Sequence, residues 1–337
     1  MLSAATADNS ADSVPVSTNW SGTLTLNHST QTSGDLAINI TSFKRHLAAT
    51  NKSPKTIKSY LEACTQLAQF VKDKGMPLYL AELKREHVEH YIADQLERWT
   101  PATAANRYRS LRAFFKWAVE EGEISPDSSP MANMKVPKIP EKAVRVLTGD
   151  EITSLLAACK GSSFEARRDL AILRMFVTTG ARRQEIATLR FDPENPLEND
   201  IDLDQGVARV LGKGGRDRLL PLDPRTIKAL DRYLRIRARH PHNDMRWLWL
   251  GKKGRLTEDG LRQMLERRAE KAGLGHIHLH QLRHTFAHHW LLEGGSESDL
   301  MRIAGWKSQE MVRKYASSTA QERAIKASRR FGLGSRI

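Results

Sequence analysis

Residues 207–222 read VARVLGKGGRDRLLPL, and this stretch decides the fold. A run from Val207 to Leu211 and a second from Arg216 to Leu222 flank the turn Gly212-Lys213-Gly214-Gly215. Short apolar runs around a glycine-rich turn signal a β-hairpin. Elsewhere the apolar residues recur at three and four, the period of an amphipathic helix. The fold class expected is therefore mainly α: an all-helical first domain, then a mixed α/β, mostly helical second domain that contains this hairpin.

Downstream of the hairpin, Asp223-Pro224 opens a helix through Ile227, Leu230 and Leu234, and the remainder reads as helices with short loops. Upstream, Thr148-Gly-Asp-Glu151 has capping-box spacing ahead of Ile152, Leu155 and Leu156. A more apolar helix around Leu170 to Val177 stops near Gly180. Pro126, Pro130, Pro137 and Pro140 prevent a continuous helix between the two parts, so residues 123–146 read as an extended linker. Lys135 and Lys138 add positive charge there. The first part, 35–122, shows a stripe of Ile57, Tyr60, Leu61, Cys64, Leu67 and Val71, with Ser53 as N-cap, Pro54 at the first helical position and Gly75 as stop. Further helices are expected through Leu83, Val88, Tyr91, Ile92 and Leu96, and through Tyr108, Leu111, Phe115 and Val119 to Gly122.

The chain has 337 residues, enough for two domains and an appendage. With 40% hydrophobic residues it has material for real cores. Residues 1–34 hold thirteen Ser or Thr and no Lys or Arg, and read as a disordered lead-in. Two cysteines, Cys64 and Cys159, make no disulfide framework. No apolar run approaches the ~18 residues that span a bilayer, and no secretory leader is evident. A soluble, intracellular (cytoplasmic) protein without membrane partners is expected. Net charge is +14, of which +4 falls in 35–140 and +12 in 141–337. That field favours a polyanion, with nucleic acid the leading class. Lys52, Lys55 and Lys58, and Arg107, Arg109, Arg112 and Lys116 on the last helix of the first part, are the candidates to meet phosphates; an ordinary solvated face is the competing reading.

Four segments place polar groups beside apolar helical patterns. In Thr179-Gly-Ala-Arg182-Arg-Gln-Glu185, Glu185 stands where it can hold the Arg182 guanidinium, although alone this is a surface ion pair at a helix start. Lys213 sits on the hairpin tip, where it reaches a neighbouring site or remains a solvated turn lysine. The run lacks the phosphate-loop spacing. In His276-Ile-His-Leu-His280-Gln-Leu-Arg283-His284, His280 and Arg283 share a helix face. His280, His284 and His288 stand at four-residue intervals, but no carboxylate or thiolate lies nearby in sequence, so no metal is expected. Tyr315 follows Gly305-Trp306 by nine residues from the tryptophan, in a basic stretch.

Taken together, Thr-Gly-x-Arg182-x-x-Glu185, Gly-Lys213-Gly between strands, His280-x-Leu-Arg283-His284, Gly305-Trp306 and Tyr315 resemble the tyrosine recombinase (phage integrase) family. The helical first domain with its Ser-Pro-Lys-Thr start is similar to that family's SAM-like core-binding domain, so the resemblance runs from about residue 36 to about 330. Trp306 departs from the histidine that most members carry. The resemblance implies a tyrosine-recombinase catalytic domain at 147–337. In it the Tyr315 hydroxyl attacks a DNA phosphodiester, giving a 3′-phosphotyrosyl link and a free 5′-hydroxyl. It implies Arg182, Arg283, His280 and Trp306 as donors to the transition state, and Lys213 as general acid. His280 doubles as candidate base, and Glu185 and His284 are supporting residues. No cofactor and no metal are implied. The partners implied are double-stranded DNA with paired sites and a homotetramer on two duplexes, exchanging strands through a Holliday junction in integration or excision. The tail from Ala320, with Ile325 and Phe331 as apolar points, is expected on a neighbouring protomer or folded back in cis. Two rival activities remain open: a catalytically silent DNA-binding regulator and a type IB topoisomerase.

Overall fold

The computed structural model describes residues 34–140, 145–212 and 217–331. The proposed disordered lead-in, apart from Gly34, and Lys213 with the rest of the hairpin tip lie outside the described residues. The chain divides into two compact units, with the division between residues 141 and 142.

The first unit holds α1 (Leu36–Ala49), α2 (Pro54–Asp73), α3 (Arg85–Arg98) and α4 (Pro101–Glu120). Its helices begin where the sequence supplies caps. Ser53 accepts the Thr56 N–H at 3.2 Å, and Thr100 accepts the Thr103 N–H at 3.3 Å, each followed by proline at the first helical position. Such a cap contributes about 1 kcal/mol. Gly75 and Gly122, both at positive φ, follow the ends of α2 and α4. Phe43, Leu67, Tyr91, Tyr108 and Phe114 form the interior, where the Phe43 ring lies 5.4 Å from Phe114 and 5.3 Å from Trp117. The segment read as a linker is anchored at its start. Ile124, Met131 and Met134 enter this core, and Tyr108 donates its hydroxyl to the Met134 carbonyl at 2.5 Å. Residues 141–144 lie outside the described residues.

The second unit opens with α5 (Gly149–Ala157), α6 (Phe164–Thr179) and the short α7 (Arg183–Ala187). Strands β1 (Ile201–Asp202), β2 (Val207–Leu211) and β3 (Asp217–Pro221) form an antiparallel sheet in that order, with Val207 opposite Pro221 and Leu211 opposite Asp217. Then come α8 (Pro224–Arg237), the small ribbon β4 (Leu250–Gly251) and β5 (Gly254–Arg255), and α9 (Glu258–Lys271). The unit ends with α10 (Leu279–Leu292), α11 (Glu297–Ala304) and α12 (Gln309–Phe331). The hairpin stands as the sequence predicts; β1 and the β4–β5 ribbon are two-residue strands, too short to set a period. The mainly α expectation holds for the described residues.

Helix α6 is the spine of this unit. Ile172, Leu173, Met175 and Phe176 are fully buried, and Arg168 and Asp169 on the same helix are buried too, so it is covered on most sides. Burying that charge requires pairing. Arg168 donates to Asp169 at 2.7 Å and to the Leu250 carbonyl at 2.9 Å, while Arg268 takes the other Asp169 oxygen at 2.7 Å. The Asp223 cap of α8 bonds Thr178 near the end of α6, so α8 starts where α6 stops. Helix α12 packs on α10 and α11, and Arg323 pairs with Glu297 at 3.6 Å. Ile325 remains 47% exposed, while the Phe331 side chain lies outside the described residues. Among the described residues, no helix is long and apolar enough to cross a membrane.

Candidate active site

The site is assembled where α6 ends. Gly180 adopts φ +57°, and a Cβ there would stand 2.3 Å from the Phe286 ring, so both conformation and space demand glycine. The chain then turns into α7 with Arg182 as its N-cap. Trp249 fixes α7 from behind, donating its indole N–H to the Ile186 carbonyl at 2.9 Å. Glu185, only 4% exposed, accepts the Arg182 backbone N–H at 2.7 Å and the Arg182 guanidinium at 2.8 Å. The other Arg182 nitrogen donates to the Gly305 carbonyl at 2.8 Å.

A residue outside every recognisable motif completes this corner. Arg218, on β3, donates to both Glu185 oxygens at 2.6 and 2.7 Å and to the Ile303 carbonyl at 2.9 Å. Its signal lies in the alternation of the strand: Arg218 shares a face with the fully buried Leu220, and a charge on a core-facing position requires a buried partner. Removing one member of a buried pair of this kind typically costs about 3–5 kcal/mol.

Helix α10 supplies Arg283, His280 and His284. Arg283 is buried and donates to the Gly180 carbonyl at 2.8 Å and the Ala304 carbonyl at 2.6 Å. Its guanidinium lies 5.2 Å from the Trp306 ring centre, within cation–π range. Gly305, the left-handed cap of α11 at φ +63°, sets Trp306 down at that point. Tyr315, 6% exposed, is held between two rings. Trp306 stacks on it at 4.8 Å and 16°, and His284 faces it at 4.8 Å and 39°. His280 meets His284 edge-on at 4.6 Å.

Arg182, Glu185, His280, Arg283, His284, Trp306 and Tyr315 therefore come together within one continuous cluster. His288 meets the His289 ring at 5.6 Å. Among the described residues no group of three or more His, Cys, Asp or Glu is placed to hold a metal. The phosphate-contact candidates all belong to the first unit. Lys52, Lys55, Lys58, Arg109, Arg112, Lys116, Lys135 and Lys138 are candidates that stand on its surface, and Arg107 is half-buried against the Trp99 ring at 5.2 Å. Asn106 bonds Ser59 at 3.4 Å, so the basic starts of α2 and α4 are adjacent.

The electrostatics favour an anion. Burial alone pushes the Glu185 carboxyl up, but the hydrogen bonds from Arg218 and Arg182 outweigh it and hold it below the usual carboxylate range. Burial, reinforced by Arg182, lowers Arg283 to about 10. Burial and the neighbouring His280 and Arg283 push His284 down to about 4, and burial with Arg283 and Arg182 lowers His280 as well. Burial raises the Tyr315 phenol, with Arg283 pulling against it. Near neutrality the cluster thus holds three guanidiniums, one carboxylate, neutral imidazoles and a protonated phenol.

Residues 145–322 match the phage integrase family, and residues 40–122 match the phage integrase N-terminal SAM-like domain. Tyrosine recombinase XerC of Roseiflexus castenholzii is 29% identical over 82% of this chain and 87% of that protein. Tyrosine recombinase XerD of Bifidobacterium longum is 34% identical over 64% of this chain and 71% of that protein. Among solved structures, the post-cleavage complex of XerH site-specific recombinase with palindromic difH substrate superposes with TM-score 0.67 at 19% identity, covering 88% of this chain and 96% of that one. The Tn1549 transposon integrase in complex with circular intermediate DNA gives TM-score 0.66 at 20% identity, covering 83% and 94%. These structures share the fold. The chain belongs to the phage integrase family, and within it to the tyrosine site-specific recombinases.

Proposed function

We propose that this recombinase cleaves duplex DNA with Tyr315 and rejoins the strands in a new pairing. The observation that carries the reading is the Tyr315 phenol packed between Trp306 and His284, on the helix that packs against α10 and its Arg283. The Tyr315 oxygen attacks phosphorus, the bond from phosphorus to the 5′-oxygen breaks, and the 3′-phosphate stays on the tyrosine. Charge on the phosphoryl oxygens grows from one towards two in the five-coordinate transition state, and Arg182 and Arg283 are the cations positioned to receive it. Loss of one such donor typically costs ~3–4 kcal/mol of transition-state stabilisation. The phenol loses its proton as it attacks, with the neutral His280 imidazole as acceptor. Lys213, at the hairpin tip, gives a proton to the leaving 5′-oxygen. A 5′-hydroxyl from another strand reverses the chemistry and releases Tyr315. Trp306 serves as a further donor, while Glu185 and His284 orient their neighbours. Because the phosphotyrosyl link keeps the ester energy, neither a high-energy cofactor nor a metal is required.

The partner is double-stranded DNA with paired sites, gripped by a core-binding domain at 35–122 and a catalytic domain at 147–337 joined by the intervening linker. Strand exchange between two duplexes calls for four protomers. The basic face with Lys52, Lys55, Lys58, Arg109, Arg112 and Lys116 tracks phosphates, and Lys135 and Lys138 extend it. The bacterial relatives support work on nucleoid DNA in the cytoplasm.

The test is a nicked suicide duplex carrying the cognate site. Covalent protein–DNA adduct is expected in EDTA, and its loss in Tyr315→Phe with duplex binding retained. Adduct formation by Tyr315→Phe, or a wild-type protein that binds the site without forming adduct, would contradict the reading. Relaxation of a supercoiled plasmid lacking any site would point instead to a topoisomerase.

A further inference from the structure

We infer that Arg218 is a positioning residue for DNA cleavage: from β3 it fixes the Glu185 carboxylate that aims Arg182, and ties this pair to the corner that presents Trp306. This role rests on the recombinase reading above.

The geometry engages all three guanidinium nitrogens. Two parallel bonds at 2.6 and 2.7 Å run from Nη1 and Nη2 to the two Glu185 oxygens, and the Nε–H runs to the Ile303 carbonyl at 2.9 Å. Arg182 binds the same carboxylate, through its side chain on one oxygen and its backbone N–H on the other. Glu185 is thus clasped from both sides, each oxygen carrying one donor from Arg218 and one from Arg182. Both arginines also close on Gly305, where an added Cβ would stand 3.0 Å from Arg218 and 3.2 Å from Arg182. Three segments far apart in sequence, α7, β3 and the end of α11, are locked together at that point.

Exposure separates the roles of the two arginines. The Arg182 side chain is 38% exposed and keeps surface for an incoming phosphate, whereas Arg218 is 13% exposed and spends its fork on protein groups. Arg218 therefore acts through Glu185 and Arg182. Lysine is no equivalent, since a single ammonium lacks the planar fork that spans two carboxylate oxygens and a carbonyl.

The clasp also keeps Glu185 ionised. Arg218 supplies part of the lowering that offsets burial, so its removal shifts the carboxyl upward, and a protonated Glu185 loses acceptor capacity for Arg182. The charged groups acting on Glu185 are Arg182 beside it, Arg218 from β3 and, at longer range, Arg283 from α10. His280 from the same helix α10 interacts with both Arg182 and Arg283. On the other side of α7, Glu258 of α9 is engaged by Arg183, and Arg255 of β5 by the Ala187 carbonyl.

The experiment measures single-turnover adduct formation on the suicide duplex across acid to mildly alkaline pH, for the wild type, Arg218→Met and Arg218→Lys. Misplacing a catalytic group by about 1 Å costs up to about 10²-fold in rate, and a loss of that order is expected in Arg218→Met with duplex binding unchanged. Beyond the acid limb that protonation of the base His280 gives the wild type, a further one should appear, the rate rising with pH as Glu185, no longer held by Arg218, ionises. Arg218→Lys should show the same limb with a smaller loss of rate, and it serves alone if the methionine variant does not fold. A purely structural role would reduce the folded fraction and leave the profile's shape unmoved. Profiles for the folded variants that superpose on the wild type would overturn the inference, whereas a wild type without adduct would overturn the recombinase reading itself.

Discussion

His284 carries the clearest titration in the cluster. Its imidazole is pushed down to about 4 by burial, with His280 and Arg283 adding to the effect, while its ring lies against Tyr315. In the unfolded chain a histidine titrates near 6.5. The folded value is the lower one, so the unfolded state binds more protons between the two, and stability falls as pH drops. The stabilisation tied to neutral His284 is fully present above about 6.5 and is lost progressively as pH falls towards 4. Urea midpoints measured across that window should fall more steeply for the wild type than for His284→Phe. Parallel curves would show that His284 is not held neutral. At this same scale most of the site is legible before folding, because Arg182, His280, Arg283, Trp306 and Tyr315 each sit in a recognisable local block. Arg218 is not, because its meaning lies in a partner 33 positions away, and only the folded strand brings it to Glu185.

At the scale of elements, the glycine corners set the aim of the site. Gly180 ends α6 and Gly305 ends α11, both in the left-handed region, and the carbonyls of Gly180, Ala304 and Gly305 are what Arg283 and Arg182 grip. Gly180→Ala meets the left-handed penalty of about 1–2 kcal/mol. It also drives a methyl into Phe286, for which an ideal Cβ is only 2.3 Å away. A lowered melting temperature and slower cleavage are expected together; Gly180→Ala with wild-type stability and rate would contradict this view of the corner. The elements themselves are legible wherever local chemistry fixes them. Ser53-Pro54 starts α2, Thr148 with Glu151 starts α5, and Asp223-Pro224 starts α8. Two-residue strands such as β1 are not, since pairing with β2 rather than periodicity defines them. The linker is legible only in part for a related reason: prolines mark where a helix stops, but not that Met131 and Met134 fold back onto the helical core.

For the whole molecule, positive charge on both units implies that DNA binding is driven largely by release of counterions. Affinity should fall by about 0.9 log units per log unit of salt for each phosphate neutralised. Substituting Lys55, Lys58, Arg109 and Arg112 by glutamine one at a time should weaken binding to all sequences alike, and lower the salt slope by roughly 1 for each phosphate that is no longer neutralised. Slopes that stay at the wild-type value would remove the basic α2–α4 face from the interface. The most direct test of the central claim is to digest the trapped adduct with nuclease and trypsin and locate the nucleotide by mass spectrometry. Cleavage by Tyr315 predicts a 3′-linked nucleotide on the peptide running from Tyr315 to Arg323. A nucleotide on any other residue, or joined through its 5′-phosphate, would contradict it.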